Sequence, residues 1–326
     1  GKEATFFTAN GDILDIRTQV KQMWVAGKKV NLDNRHKRLY KKYRNRPKPE
    51  NTNKEKYPIS ADLPKRLNLP SFYKKSTHVN GFPIVSSEKV SNYALKEAAH
   101  LVDQMIGHRQ DIIDNLIRRN CRLVVMAHNE FTTQVPEHSH LSPSKFWDRR
   151  ARGLGSSRTD PVVSCAEENL LCYPGDPYST ENILIHEFAH AVHLNGIFDI
   201  DPTFDKRLAE AYEAALANGL WKGKYASKNK AEYWAEGVQS WFNTNRPPDH
   251  DHNHVDTREE LKAYDPELAK LVKEIFGDAS WRYKRPSQRI ALDHLYGFDP
   301  LNSPTFLWPD KLQKKSSPPK REQEKT

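Results

Sequence analysis

The stretch Asn182–His193, NILIHEFAHAVH, constrains this chain more than any other. Ile183, Leu184, Ile185, Phe188, Ala189, Ala191 and Val192 leave little polar surface around a helix, so such a helix is interior on nearly every side. Yet the same run carries His186, Glu187 and His190. Imidazoles and carboxylates are costly to bury unless something satisfies them. A spacing of four puts both imidazoles on one face of an α-helix, where they can grip one metal ion. Glu187 lies beside them, placed to act on a water at that metal. Ser179 or Thr180 is expected to cap the start of this helix.

His186-Glu187-x-x-His190 is the H-E-x-x-H arrangement of zinc peptidases. A catalytic zinc site needs three protein ligands and one open position. The residue three past His190 is His193 rather than glycine, which disfavours a third histidine from the extended H-E-x-x-H-x-x-G-x-x-H pattern. An acid on a following helix is the better choice. NKAEYWAEGVQSWF (229–242) offers Glu232 and Glu236, four apart and hence on one face. Their neighbours Ala231, Tyr233, Trp234, Ala235, Val238 and Trp241 are too apolar for two idle carboxylates.

The order H-E-x-x-H followed 42 positions later by E-x-x-A-E resembles the catalytic domain of anthrax lethal factor and of the Pro-Pro endopeptidases, which are zinc peptidases of the gluzincin kind. The likeness covers about residues 160–280. It implies a single Zn2+ held by His186, His190 and Glu232, with Glu187 as general base toward the attacking water. It also implies that Tyr225, seven residues before Glu232, faces the scissile carbonyl and donates to the oxyanion. Glu236, one turn beyond Glu232, is expected to accept from His186 or His190 and orient it. The function this implies is a zinc-dependent endopeptidase acting on a peptide or protein. The alternative is a catalytically inactive zinc-binding or interaction domain, for which neither Glu187 nor Tyr225 would be needed.

Peptide substrates commonly pair with an edge strand. SCAEENLLCYPGDPY (164–178) is expected to form that rim, bringing Glu167, Glu168 and Asn169 near the substrate. His250, His252 and His254 alternate with acids in PDHDHNHVDT and read as a polar loop rather than a second metal site. His138 and His140 also read as loop residues.

Around this centre the chain is expected to be α+β and helix-dominated, a zincin-like metallopeptidase domain with a small sheet over 76–310. Helices are expected over 88–118, 202–220, 229–244 and 258–277, and extended segments over 121–128, 130–135, 161–165 and 169–173. Residues 1–45 are expected to form a β-segment in which QVKQMWVAGKKV reads as a hairpin turning at Gly27. GDILDIRTQVKQMWVAGKKVNLDNRHKRLYKKYR resembles the closing β-segment of imidazolonepropionase-like amidohydrolases, without the barrel that carries their chemistry. The stretch 46–75, rich in Pro, Lys and Asn, reads as a linker, and 311–326 as a disordered charged tail.

The net charge of +9 is concentrated in 35–50 and 311–326. No nucleic-acid-binding motif accompanies these runs, so they read as solvated segments and no nucleic-acid partner is expected. No apolar run approaches the roughly 18–20 residues needed to span a bilayer, and GKEATFFTANGD shows no signal-peptide pattern. The three cysteines include no C-x-x-C. A Cys165–Cys172 bridge would favour an extracellular or periplasmic location. Oligomeric state is not set by any of these features.

Overall fold

A computed structural model describes residues 4–11, 19–35, 37–39, 56–289 and 294–313. The chain divides into two units, Gly1–Lys54 and Glu55–Thr326. In the first, β1 (Phe6–Ala9), β2 (Val20–Val25) and β3 (Lys28–Lys29) form an antiparallel sheet in that order. The turn between β2 and β3 places Ala26 and Gly27 at φ 50° and 74°. Two central residues at positive φ make the tight hairpin whose twist suits the flanking strands. Phe6 stacks on Trp24 at 4.6 Å across the β1–β2 pair. Of the expected linker, 46–55 lie outside the described residues, as do 314–326 of the expected tail. Residues 56–75 belong to the second unit, and Tyr57 and Tyr73 are buried there. Two large rings gain more from burial than the local Pro, Lys and Asn content suggests.

The second unit is built on a five-stranded sheet of order β4-β5-β6-β8-β7. β4 (Lys75–Val79) and β5 (Phe82–Ser86) form a hairpin, turned by Asn80 and Gly81 at positive φ. β5 then runs parallel to β6 (Arg122–Met126), and β6 to β8 (Val162–Ala166). Parallel neighbours need a crossover. The chain supplies it between β5 and β6 with α1 (Asn92–Ile106) and α2 (Gln110–Arg118). Every residue of β5 and β8 is buried, as expected of strands covered on both faces. β7 (Gly153–Leu154) pairs antiparallel with β8 and forms the sheet's edge.

Further helices follow: α3 (Ser144–Arg150), α4 (Glu167–Leu170), α5 (Ile183–Ala191), α6 (Phe204–Ala217), α7 (Lys230–Trp241), α8 (Arg258–Tyr264) and α9 (Pro266–Phe276). α5 packs beneath β8 and against α7. The indole of Trp234 on α7 donates to the Ala189 carbonyl at 2.9 Å, which fixes the two helices in register. Phe188 meets Phe82 of the sheet with ring centroids 5.4 Å apart. The architecture is therefore α+β with the helices in the majority.

Several local expectations are corrected. Residues 258–277 form two helices, because Pro266 cannot continue the first and begins the second. The Asp265 side chain caps that second helix by accepting from Leu268 N. The segment 169–173 is not extended, since α4 and a turn occupy it, with Cys172 at φ 54°. Residues 130–135 contain a 3-10 turn, Thr132–Gln134, closed by Gln134 accepting from the Phe131 N–H at 2.8 Å. α5 is capped by Asn182, which accepts from Ile185 N, rather than by Ser179 or Thr180. All three cysteines are free, so no Cys165–Cys172 bridge forms. Among the described residues no helix is long and apolar enough to cross a membrane.

Beyond α5 the chain continues as a π-helical turn, Val192–Ile197. His193 in this turn is buried beside the rings of Phe204 and Trp234, and its Nδ1 has no hydrogen-bond partner. Burial lowers its pKa to about 4, although Asp205, 3.1 Å from Nε2, pulls the other way. An unfolded chain would protonate near 6.5. The unfolded state therefore takes the proton first as pH falls. Stability present above pH 6.5 is lost progressively toward pH 4. The loss between pH 7 and 5 is roughly 2 kcal/mol. Thermal unfolding across that range checks it, and His193→Gln should flatten the slope; an unchanged slope removes His193 as its source.

Candidate metal centre

α5 and α7 bring the polar residues of the two sequence motifs together. Asn182 starts α5, and its buried apolar residues fix the helix rotation so that His186, Glu187 and His190 share one face. One ligand atom from each of these three lies within 4.8 Å of the others. Asn229 starts α7, its side chain accepting from the N–H groups of Ala231 and Glu232. This cap sets Glu232 opposite the imidazoles. Glu232 Oε2 lies 3.0 Å from His186 Nε2 and 3.6 Å from His190 Nε2. Ligands around a tetrahedral zinc with bonds near 2.0–2.1 Å stand about 3.3 Å apart. The two separations of the Glu232 carboxylate from the imidazoles are of that size.

The charges agree with the geometry. Burial disfavours a charge on His186, but the Glu232 hydrogen bond and the Glu187 and Glu236 carboxylates push its pKa up to about 10. Burial raises Glu232, but hydrogen bonds and charge from His186 and His190 outweigh it and hold it well below the usual carboxylate range. In this arrangement a proton supplies the positive charge the carboxylates call for. A divalent cation answers the same demand. Burial raises the pKa of Glu187, while His186 and His190 oppose the rise. A raised carboxylate is better matched to taking up a proton near neutral pH.

His186 is held from behind by a residue that the sequence reading missed. Its Nδ1 lies 2.7 Å from Gln239 Oε1. The Gln239 amide nitrogen donates to Glu181 Oε2 and to the Asn182 carbonyl, so its oxygen faces the histidine. That network assigns the His186 proton to Nδ1 and leaves the Nε2 lone pair for a metal. Glu236 was expected in this place, but its Oε1 stands 3.7 Å from His186 Nδ1, and its Oε2 accepts from Asn245 Nδ2 at 3.0 Å. The signal was present in the helical stripe Glu232, Glu236, Gln239, whose last member was passed over because it carries no charge.

Tyr225 begins a 3-10 turn (Tyr225–Ser227) just before α7 and donates to Glu232 Oε1 at 3.2 Å. Burial, then the charges of Glu232 and Glu187, push its phenol pKa up, so it stays protonated. Its ring stacks on His252 at 6.3 Å, and its N–H donates to the Asp251 carbonyl at 2.7 Å. Part of the expected polar loop thus lies at the site. His252 is buried, its Nδ1 2.8 Å from Asp249 Oδ1, whereas His250 is exposed. His138 is buried and pairs with Ser164, while His140 is exposed.

His186, Glu187, Tyr225, Glu236 and His252 line one cleft of about 240 Å³. Its wall at the sheet is β7, reached through Gly153. A Cβ at Gly153 would stand 2.4 Å from Ile183 Cγ2 and 3.2 Å from Glu187 Cγ. One at Gly155 would stand 2.7 Å from His190 Cδ2. Glycine is what lets the edge strand pass this close to the H-E-x-x-H face. Of the stretch 164–178 only Tyr178 lines the cleft, beside Gly153 of β7. Glu167, Glu168 and Asn169, expected near the substrate, are buried and committed elsewhere. Glu167 accepts from the N–H groups of Ser91 and His128, and Glu168 pairs with buried Arg152. Asn169 accepts from Ile183 N and so helps seat α5.

Comparison with protein families finds no match, and none is found among curated proteins. Neither supports the amidohydrolase likeness of the first forty residues. The solved structure of the Pro-Pro endopeptidase PPEP-2 from Paenibacillus alvei is similar over 59% of this chain and 97% of its own, with 19% sequence identity and a TM-score of 0.41.

Proposed function

We propose that this chain is a zinc-dependent endopeptidase of zincin-like, gluzincin type. The observation that carries the reading is the convergence of His186, His190 and Glu232 from two helices on one point, with Glu187 and Tyr225 in the same cleft. His186, His190 and Glu232 would hold the ion. A bound Zn2+ supplies Lewis acidity that brings a water close to ionisation near neutral pH. Glu187 takes the proton from the attacking water and returns it to the leaving amine. Tyr225, held protonated, donates to the oxyanion that forms on the scissile carbonyl. Gln239 keeps His186 in the tautomer that can bind a metal. The substrate is a peptide strand, with the edge strand β7 available to pair with it.

Elemental analysis for zinc beside cleavage of a peptide library tests the reading. Absence of zinc would sink it, and stoichiometric zinc with no cleavage would favour the inactive zinc-binding alternative. Tyr225→Phe should lower kcat by about 10²–10³-fold, the cost of one oxyanion donor, with zinc content unchanged. Unaltered turnover would remove Tyr225 from this role.

A further inference from the structure

Beside the metal cleft lies a second cavity of about 450 Å³ that shares Arg150, Tyr178 and Arg246 with it. Phe146, Arg149, Pro177 and Trp308 complete its wall, and no carboxylate lines it. Arginine guanidinium groups so close to an interior site normally find an acid. Arg246 does, holding Glu181 through Nε at 3.0 Å and approaching Asp249 at 3.5 Å. Arg149 and Arg150 do not: among the described residues neither enters an ion pair. Arg149 stacks on Trp308 at 4.2 Å, and its Nε is shielded from solvent without a hydrogen-bond partner. Arg150 is exposed, 5.7 Å over the Trp147 ring, and faces both cavities. α3 thus presents two adjacent unpaired guanidiniums, one of them pre-set against an indole.

We infer that the peptide cut at this centre presents a carboxylate next to the scissile segment, received by Arg149 and Arg150 against Trp308. This rests on the endopeptidase reading and names the class of its substrate. A guanidinium held over an indole is restricted in direction, and a carboxylate matches its N–H edge with two parallel hydrogen bonds. Trp308, Phe146 and Tyr178 remove water from around that pair, which strengthens it. The carboxylate is either an Asp or Glu side chain or the free C-terminus of the peptide.

The test uses the zinc-loaded protein and matched peptides that differ only as Glu against Gln, or as free acid against C-terminal amide. Wild type should cleave one acidic form at least tenfold better in kcat/KM, chiefly through KM. The Glu/Gln pair identifies a side chain, and the acid/amide pair a C-terminus. Arg150→Gln should reduce that preference, read as the ratio of kcat/KM between acidic and neutral peptides, and Arg149→Gln/Arg150→Gln should abolish it. Arg150 is exposed, so its single variant reports even if the double variant misfolds. Affinity of the same peptides for the Glu187→Gln protein, measured by calorimetry, gives a readout apart from turnover. Acid-selective binding without cleavage would remove the endopeptidase reading and keep the carboxylate site. Cleavage with no acid preference, or a preference that survives both substitutions, overturns the inference alone.

Discussion

Glu187→Gln is expected to keep one zinc per chain and to lower kcat by roughly 10²–10⁴-fold, the range for loss of a positioned general base. The substitution is nearly isosteric, so the cleft, the β7 wall and the two imidazoles stay in place. What disappears is the capacity to take a proton. The nearest carboxylates are engaged: Glu232 faces the histidines, Glu236 is bound by Asn245, and Glu181 is bound by Arg246, while Asp251 at the cleft pairs with exposed His250. The measurement is kcat on the best library peptide beside zinc by elemental analysis. This pair of readings also decides a rival arrangement. Glu187 lies within ligand reach of both histidines. If Glu187→Gln emptied the site of zinc, Glu187 would be a ligand and the assignment of the base would fall.

Glu232→Ala should have the larger effect on the metal. Its carboxylate is the group both imidazoles share, and without it two nitrogens remain where three protein ligands are needed. Zinc should fall well below one per chain after dialysis, and turnover should fall with it. The comparison is with residues one layer further out. Gln239→Leu should weaken zinc binding by about 10–100-fold, as expected when the partner of a ligand histidine is removed. Glu236→Ala should weaken it less than Glu232→Ala, because Glu236 stands 3.7 Å from the His186 ring nitrogen and is occupied by Asn245. Zinc loss from Glu236→Ala as large as from Glu232→Ala would mean the two carboxylates have been assigned the wrong way round.

The helices that carry the two motifs were legible because burial and periodicity act on short stretches. An apolar run with His186 and His190 four apart can be satisfied in few ways, and each is visible within one helix. Glu232 and Glu236 were legible for the same reason. Gln239 was not, since an uncharged amide on an apolar helix gives no sign that it serves a histidine on another. Glu167, Glu168 and Asn169 misled because acids ahead of a metal helix look available. Only the tertiary structure shows that Glu168 meets Arg152 across 16 residues and Glu167 meets the His128 N–H across 39. The break at Pro266 lay in the sequence and follows from the missing N–H, but the apolar period running through it obscured the boundary.

The sequence by itself determined that a buried helix must present two imidazoles and a carboxylate to a common point, and that a second helix carries the acid to meet them. Those are local consequences of spacing and hydrophobicity. The tertiary structure decided which edge passes the site, which amide orients His186, and which arginines are left without acids. Each of these depends on groups far apart in the chain meeting at about 3 Å, and no local pattern encodes such a meeting.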